Sequence, residues 1–292
     1  MKKYLIYGLL ILFYSIKLIS AEKYNFFIWE MKDPEYKNTT YLLGSIHLGN
    51  EKLFPLPQKI LGAFDKSEIL VLEINLNNTD PFAIAQKAMY FDGRTLEGTL
   101  SQETFNNLSI ILESSGFTKE IYNKFKPWFA AMVASISEYT EEGLSSEYGI
   151  DTYFLKKANE NNIPVYELES TAEQINIFDS LPDSLNNLVV EYILTGSPNG
   201  SSKINELIDA YINGDEKKIS KFMIELENDT SEISELFKER LLTNRNLKMA
   251  DKIDNFHKSG KIHFVIAGTA HFLGKDGIIE ILKNKNYIIK RL

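Results

Sequence analysis

Two short segments near opposite ends of the sequence share one pattern. Residues 42–47 and 265–271 each consist of an apolar run, a glycine, two small or apolar residues and a histidine. A strand that ends in glycine can turn sharply, because glycine adopts backbone angles that other residues avoid. Each turn would present a histidine, His47 or His271, whose side chain titrates near neutral pH and binds metals. The shared pattern predicts one site that is assembled from both ends of the chain.

The residues around each pattern predict a βαβ unit. Apolar strands and one amphipathic helix are expected in both units, at residues 26–31, 40–45, 57–66 and 68–73 in the first and at 262–267, 276–285 and 287–292 in the second. Strands that are connected through a helix run parallel and end at the same edge of a sheet. The histidine turns would therefore lie on one side of the molecule.

The predicted fold class is α/β, with a mixed central sheet built from the N- and C-terminal βαβ units and a large helical insert. We expect residues 22–292 to form a single domain, in which 22–80 and 259–292 form the sheet and 81–258 form the mainly helical insert. Apolar residues at helical spacing recur in the insert at 102–113, 128–139, 151–161, 181–194, 204–212 and 231–256. One strand and one loop are also expected there, at 163–169 and 196–202.

The first 21 residues have the layout of a secretory signal peptide. Lys2 and Lys3 precede a short apolar run, and small residues follow Lys17 up to the polar Glu22. The uninterrupted apolar run is shorter than the ~20 residues that cross a bilayer. We therefore expect an exported protein, periplasmic or extracellular, with no integral membrane domain once the signal is removed. The alternative is an uncleaved segment that tethers the protein to a membrane.

Composition excludes several classes of site and partner. The chain has no cysteine, which rules out disulfides, thiolate metal ligands and a cysteine nucleophile. Any metal must therefore be held by His, Asp or Glu side chains. The formal net charge of −8 argues against nucleic acid as a partner, because that binding relies on basic patches that neutralise phosphates.

Three side chains are the main candidates for chemistry. Glu73 ends an apolar strand, so that His47, Glu73 and His271 are all expected at the carboxyl edge of the sheet, where α/β proteins bind ligands. Two imidazoles and a carboxylate can hold a divalent metal with positions left open for water, which would make the protein a hydrolase. The same residues also permit a metal-free mechanism, in which a histidine is the general base and Glu73 orients it.

Other polar residues allow two interpretations each. Glu169 also ends a strand and is the second candidate carboxylate, although a surface or helix-capping role is somewhat favoured. Arg245, next to Asn246, could hold a substrate carboxylate as part of the catalytic site, or tie a helix to the sheet. Asp151 is interpreted as a helix N-cap rather than an acid–base group.

The remaining histidines and the aromatic residues of the insert are interpreted as structural. His263 also follows a glycine by three residues, but it precedes its strand and is expected to be a strand residue. His257 is expected on the solvated surface at the end of a polar helix. Trp128, Phe129 and Tyr139 occur at helical spacing, which favours a role in the core.

An ordered set of motifs resembles the TraB/GumN family over about residues 29–292. The set consists of 44–47, 268–271, Glu73, 126–128, 149–151, 168–169 with Gln174, and 245–246. The resemblance implies a fold similar to erythromycin esterase and ChaN-like proteins, and a relation to the Tiki proteases, which are membrane-tethered, metal-dependent peptidases. It also implies that His47, Glu73 and His271 form the active centre, with manganese or cobalt favoured over zinc as the metal.

The function predicted is that of an exported hydrolase, specifically a metal-dependent peptidase with a His-Glu-His centre. One alternative is a metal-independent, esterase-like hydrolase. The other is a non-catalytic module that binds haem or a small peptide signal through the same crevice. The partner is expected to be a peptide or small-molecule substrate.

Overall fold

The computed structural model describes residues 24–35, 37–195, 201–227, 236 and 238–292, without the side chains of 192, 195, 201, 202 and 223–227. The described residues contain six strands: β1 (Ile28–Lys32), β2 (Thr39–Ser45), β3 (Ile69–Leu72), β4 (Val165–Glu167), β5 (His263–Gly268) and β6 (Ile288–Arg291). They form one sheet in the order β4-β3-β5-β2-β1-β6. The predicted signal peptide, residues 1–21, lies outside the described residues.

The sheet is mixed, as the sequence predicts. Strands β4, β3, β5 and β2 are all parallel, whereas β1 pairs antiparallel with both β2 and β6. The register places Ser45 beside Gly268 at the end of β2 and β5. Four parallel strands therefore end at the same edge of the sheet, and this edge carries the candidate site.

The two predicted βαβ units interlock instead of lying side by side. Strand β5 of the C-terminal unit lies between β2 and β3 of the N-terminal unit. Strand β6, in turn, is separated from β5 by both β2 and β1. Each unit thus spans strands of the other, and the insert adds β4 to the outer edge beside β3.

Fourteen α-helices are described in the covered ranges. They are α1 (Gln58–Asp65), α2 (Pro81–Ala88), α3 (Leu96–Thr99), α4 (Gln102–Ser114), α5 (Lys119–Tyr122), α6 (Pro127–Glu141), α7 (Ile150–Glu160), α8 (Thr171–Asp179), α9 (Asn186–Thr195), α10 (Ser201–Ile212), α11 (Glu216–Glu227), α12 (Asn244–Lys258), α13 (Thr269–Phe272) and α14 (Ile278–Asn284). A π-helical segment, Glu239–Thr243, leads directly into α12. The described residues between β3 and β5 are mainly helical, with the short strand β4 among them.

The described helices differ from the predicted ones in position and in number. The helix predicted for 181–194 begins later, at Asn186, because a 3-10 turn at Asp183–Leu185 precedes it. Six helices were not predicted: α2, α3, α5, α8, α11 and α13. A capping box between Ser170 and Glu173 starts α8. Most of the predicted loop 196–202, and residues 231–235 of the last long helix, lie outside the described residues.

The central strands form the main core. All four residues of β3 are buried, and so are the first five of β5, as expected for parallel strands that are covered on both faces. Helices α1 and α7 pack aromatic rings on β5: the Phe64, Phe154 and Phe264 ring centroids lie 4.9–5.5 Å apart. Trp128 of the insert is buried and stacks on Phe178, which confirms its predicted core role.

The prediction of a solvated His257 is wrong. Its side chain is only 1% exposed, because it follows Met249 and Ile253 at four-residue spacing on the buried face of α12. The Nδ1 atom lies 2.9 Å from Thr40 Oγ1, and burial lowers the pKa of the imidazole. His263, by contrast, begins β5 as a buried strand residue, as predicted.

Helix length and hydropathy bear on the membrane question. Within the described ranges, no helix is both long enough and apolar enough to cross a bilayer.

Candidate active site

Three side chains from separate strand ends converge on Gly268. A Cβ atom added to this glycine would lie 3.6 Å from His271 Cδ2 and 3.7 Å from both Glu73 Oε2 and His47 Nε2. Strand β2 leads to His47, β3 to Glu73 and β5 to His271, and the parallel sheet brings these ends together. The structure thus places the three residues that the sequence singles out in one cluster.

Gly44 provides space in its turn, whereas a Cβ on Gly268 would meet only ordinary van der Waals contacts. Neither Gly44 nor Gly268 has a positive φ, so the predicted reason for glycine at these positions is wrong. A Cβ on Gly44 would lie 2.9 Å from Thr269 Oγ1 and 3.1 Å from Thr269 Cα. The same Thr269 hydroxyl donates to the Ser45 carbonyl at 2.9 Å. Because β2 and β5 are neighbours, their turns touch, and only glycine permits that approach.

His271 is buried and held in one tautomer. Asn246 Nδ2 donates to the Asp276 carbonyl at 2.9 Å, which leaves Asn246 Oδ1 to accept from His271 Nδ1 at 2.6 Å. The proton therefore lies on Nδ1, and the free Nε2 faces Glu73 Oε2 at 3.8 Å. Burial, together with the nearby charge of Arg245, lowers the pKa of His271 to about 4. The imidazole is neutral at neutral pH.

His47 lies at the rim of the cluster, with 60% of its side chain exposed. Its Nδ1 is 3.0 Å from Asp151 Oδ2, and Ser45 Oγ donates to the other Asp151 oxygen at 3.1 Å. The Asp151 carboxylate raises the pKa of His47 to about 9. Asp151 therefore orients His47 with its Nε2 toward Gly268.

The N-cap interpretation of Asp151 is wrong. Gly149 is the N-cap of α7, and Asp151 lies in the first turn with its carboxylate directed at the histidine turn. A Cβ on Gly149 would lie 2.3 Å from the His47 carbonyl oxygen, so the start of α7 packs directly on the turn. Only the family motif at 149–151 marked this segment in the sequence.

Glu73 is ionised although it is nearly buried. Its Oε2 accepts from the Gly268 N–H at 3.0 Å, while Oε1 accepts from Gln174 Nε2 at 2.7 Å and from Arg245. Burial alone would raise its pKa, but His271, His47 and Arg245 together lower it from 4.5 to about 2. The cluster therefore contains a fixed negative charge. Only the family motif marks Gln174 in the sequence.

Arg245 joins the start of α12 to the carboxyl edge of the sheet. Its Nε and Nη2 bind Glu169 at 2.8–3.1 Å, and Nη2 also binds Glu73. The remaining Nη1 donates to the Leu241 carbonyl at 2.9 Å. These contacts are those of the helix-tying interpretation. Glu169 is buried by this pairing and is neither a surface residue nor a helix cap, since Ser170 caps α8.

The donor atoms of the cluster fit a divalent metal in kind. Histidine ligands of metals commonly give their second N–H to a carboxylate or carbonyl oxygen, and both imidazoles do so here, His47 to Asp151 and His271 to Asn246. Each Nε2 is thereby directed toward the same cluster. In the part of the chain that is described, no group of three His, Asp or Glu side chains is arranged to hold an ion as it stands. Binding would therefore require side-chain adjustment, for which the exposed His47 is best placed.

Asp151→Asn is expected to lower metal affinity or activity about 10–100-fold, the usual effect of changing an outer partner of a histidine ligand. The asparagine keeps the size of the side chain but loses the negative charge that orients His47 and raises its pKa. Titration with Mn²⁺ and turnover at fixed metal would measure the effect. Asp92→Asn is the control, because Asp92 is an exposed partner of Arg94. Equal behaviour of the two variants would contradict a positioning role for Asp151.

Comparison with known proteins identifies a family whose sequence model covers the residues of the cluster. The sequence model of the TraB/PrgY/gumN family matches residues 27–291. The chain belongs to this family. The match confirms the TraB/GumN resemblance read from the motifs, and it includes all three residues of the cluster.

Relatives within and around the TraB/PrgY/gumN family are distant in sequence. The chain is 26% identical over 276 residues to the uncharacterized protein YbaP of Escherichia coli, covering 93% of this chain and 99% of that protein. It is 22% identical over 272 residues to an uncharacterized protein of Treponema pallidum, covering 89% and 81%. It is 24% identical over 319 residues to the metalloprotease TIKI1 of Xenopus tropicalis, covering 90% of this chain but 61% of TIKI1.

Proposed function

We propose that this protein is an exported, metal-dependent peptidase whose centre is formed by His47, Glu73 and His271. The observation that carries the proposal is the arrangement around Gly268: two imidazoles direct Nε2 atoms toward one place beside an ionised carboxylate. Asp151 and Asn246 hold the other nitrogen of each ring. The metalloprotease name of the TIKI1 relative supports the same class of reaction.

The chain's own residues have separate tasks in this proposal. His47, Glu73 and His271 would hold the ion, which when bound lowers the pKa of a water to about 7 and polarises a carbonyl group. Arg245 and Gln174 fix the Glu73 carboxylate from behind. His47, exposed at the rim, leaves the centre open to a substrate from solvent. Two histidines and a glutamate also hold zinc in catalytic sites, so our preference for manganese or cobalt over zinc rests on the resemblance to the TraB/GumN family.

The fold and the location belong to the same proposal. The six-stranded mixed sheet with its helical insert supports an erythromycin esterase or ChaN-like fold, and the N-terminal 21 residues support export by a signal peptide. The substrate is a peptide in this proposal, rather than another small molecule.

The second candidate is a metal-independent hydrolase that uses His47 as its acid–base group. It is favoured by the Asp151–His47 pair, since a buried or half-buried aspartate that binds Nδ1 orients the histidine of many hydrolases. Metal dependence separates the two candidates.

The test is metal content followed by peptide cleavage. Residues 22–292 would be loaded with manganese, cobalt or zinc, and bound metal measured by mass spectrometry for wild type, His47→Ala and His271→Ala. We expect about one metal per chain in wild type and none in either variant. His263→Gln is the control, because His263 lies at the opposite end of β5.

The outcomes divide the alternatives. Metal bound at His47 and His271 with cleavage of a peptide library supports the proposal. Cleavage without bound metal supports the metal-independent hydrolase. A peptide or haem that is bound and recovered unchanged would indicate that the protein is a non-catalytic binding module.

A further inference from the structure

An apolar cavity adjoins the cluster on the His271 side. Its volume is about 270 Å³, and most of its surface is contributed by apolar atoms. Its walls come from α11, the π-helical segment, the start of α12, and α13 with the turn after it, and include Ser220, Leu242, Thr243, Ala270, Leu273 and Gly274. Three charged residues, Lys238, Lys275 and Asp276, also line it. It is a different space from the polar cavity beside Glu169 and Arg245, which is lined by charged residues such as Glu173 and Arg240.

Two of the residues that line the cavity are also in direct contact with His271, one through the chain and one through a hydrogen bond. Ala270 precedes His271 in the chain, and Asn246, which holds His271 Nδ1, also lines the cavity. A group that fills the cavity would thus lie directly against the residues that position one imidazole. His47, Glu73 and His271 do not line the cavity themselves, so a side chain that enters it would contact the cluster through Asn246 and Ala270.

The size and chemistry of the cavity fit one apolar side chain. A cavity of roughly 150 Å³ lined by apolar side chains accepts a benzene molecule, so 270 Å³ has room for an isobutyl or phenyl group. Leu242, Ala270 and Leu273 supply the apolar contact, and the hydroxyl groups of Ser220 and Thr243 lie at its wall. Apolar pockets with a few polar groups are the usual form of ligand subsites.

The wall that carries Leu242 is tied to the catalytic cluster. Leu242 belongs to the π-helical segment Glu239–Thr243, a form of helix that recurs at functional sites. The preceding residue, Leu241, accepts a hydrogen bond from Arg245, which itself binds Glu73. The position of Leu242 is therefore fixed relative to Glu73 through a single side chain.

We infer that this cavity is the subsite for one apolar side chain of a peptide substrate, and that Leu242 and Ala270 determine the size of the side chain accepted. The inference rests on the proposed peptidase function. It specifies the substrate class as peptides with a leucine-like or phenylalanine-like residue next to the bond that is cleaved. The proposed hydrolysis alone does not predict a preference for any side chain.

Ligand binding tests the cavity without requiring catalysis. N-acetyl-leucinamide and N-acetylglycinamide would be titrated into the metal-loaded protein and followed by NMR. We expect the leucine compound to bind at least about tenfold more tightly, the usual discrimination of an apolar pocket between side chains. Leu242→Trp fills the cavity and should abolish this preference. Leu247→Trp is the matched control, because Leu247 is half-exposed on α12 and outside the cavity.

Peptide cleavage gives the second measurement. Peptides that differ only in leucine or glycine at one position would be compared by kcat/KM. Leu242→Trp should lower kcat/KM for the leucine peptide at least about tenfold and leave kcat/KM for the glycine peptide unchanged. Leu242→Gln keeps the size of the residue but removes apolar surface, and it carries the test if the tryptophan variant does not fold.

The results separate this inference from the proposed function. Leucine binding that depends on Leu242, without cleavage of any peptide, supports the subsite and rejects the peptidase. Cleavage with no preference for an apolar residue, or leucine and glycine compounds that bind alike, overturns the subsite and leaves the peptidase intact.

Discussion

Arg245→Met is expected to lower the free energy of unfolding by about 3–5 kcal/mol, the usual cost of removing one partner of a buried ion pair. The Arg245, Glu73 and Glu169 side chains are 12%, 9% and 6% exposed. Methionine keeps most of the apolar volume but leaves two nearly buried carboxylates side by side without the guanidinium that binds both. Urea unfolding at pH 7 would measure the loss.

Arg94→Met is the matched control for this loss. Arg94 also binds two carboxylates, Asp92 and Asp183, but all three side chains are about half-exposed or more. Exposed pairs contribute about 0–1 kcal/mol, so the control should change little. Adding Glu169→Gln to Arg245→Met removes one stranded carboxylate and should recover part of the stability. Equal losses in the Arg245 and Arg94 variants would contradict the buried network.

The stability difference between wild type and Arg245→Met should depend on pH in a defined direction. In wild type, Glu73 titrates at about 2 rather than 4.5, so its stabilising contribution is present above pH 4.5 and is lost as the pH falls through 4.5 toward 2. In the variant, the stranded carboxylates gain protons on acidification, which relieves their repulsion. The difference in free energy of unfolding between wild type and Arg245→Met should therefore become smaller as the pH falls from 7 to 4.

Glu73→Gln is expected to lower turnover on the order of 10²–10⁴-fold, the range for removal of a group that acts directly in proton transfer or charge stabilisation. The glutamine keeps the shape of the side chain, but it removes the negative charge beside His271 Nε2 and Gly268. The measurement is kcat for a cleaved peptide, together with metal content of the same sample.

Glu169→Gln separates the catalytic effect from the structural one. Glu169 and Glu73 both bind Arg245, but only Glu73 faces the histidines. Both variants should lose a similar part of the free energy of unfolding, whereas only Glu73→Gln should lose most of the activity. If both lost activity to the same extent, the Arg245 network rather than Glu73 would be the essential element.

Local patterns in the sequence were sufficient for the six described strands, for most of the longer helices and for the three clustered residues. Apolar runs that end in glycine or glutamate mark β2, β3 and β5, and parallel strands must bring such ends together at one edge. Order in the sheet could not be predicted in this way. The position of β5 between β2 and β3 depends on contacts between distant segments, which periodicity does not encode.

The roles of the residues around the cluster were harder to predict, because they depend on the direction in which each side chain points. Asp151 has the sequence context of a helix start, and only the three-dimensional packing of α7 on the turn directs its carboxylate to His47. Asn246 and Glu169 gain their roles from helix α12, whose start faces the sheet edge. The polar neighbours of His257 obscured a signal that the sequence does contain: its four-residue spacing from Met249 and Ile253 places it on the buried face of α12.

The central position of β5 has a consequence for incomplete products of synthesis. Residues 45 and 269, which touch in the finished protein, are 224 positions apart, so closure of the sheet needs nearly the whole polypeptide and costs the entropy of a long loop. A product that stops before residue 263 would carry His47 and Glu73 but not His271, and its β2 and β3 edges would be left open to other chains. The cluster of His47, Glu73 and His271 can therefore assemble only after β5 and the turn that follows it have been synthesised.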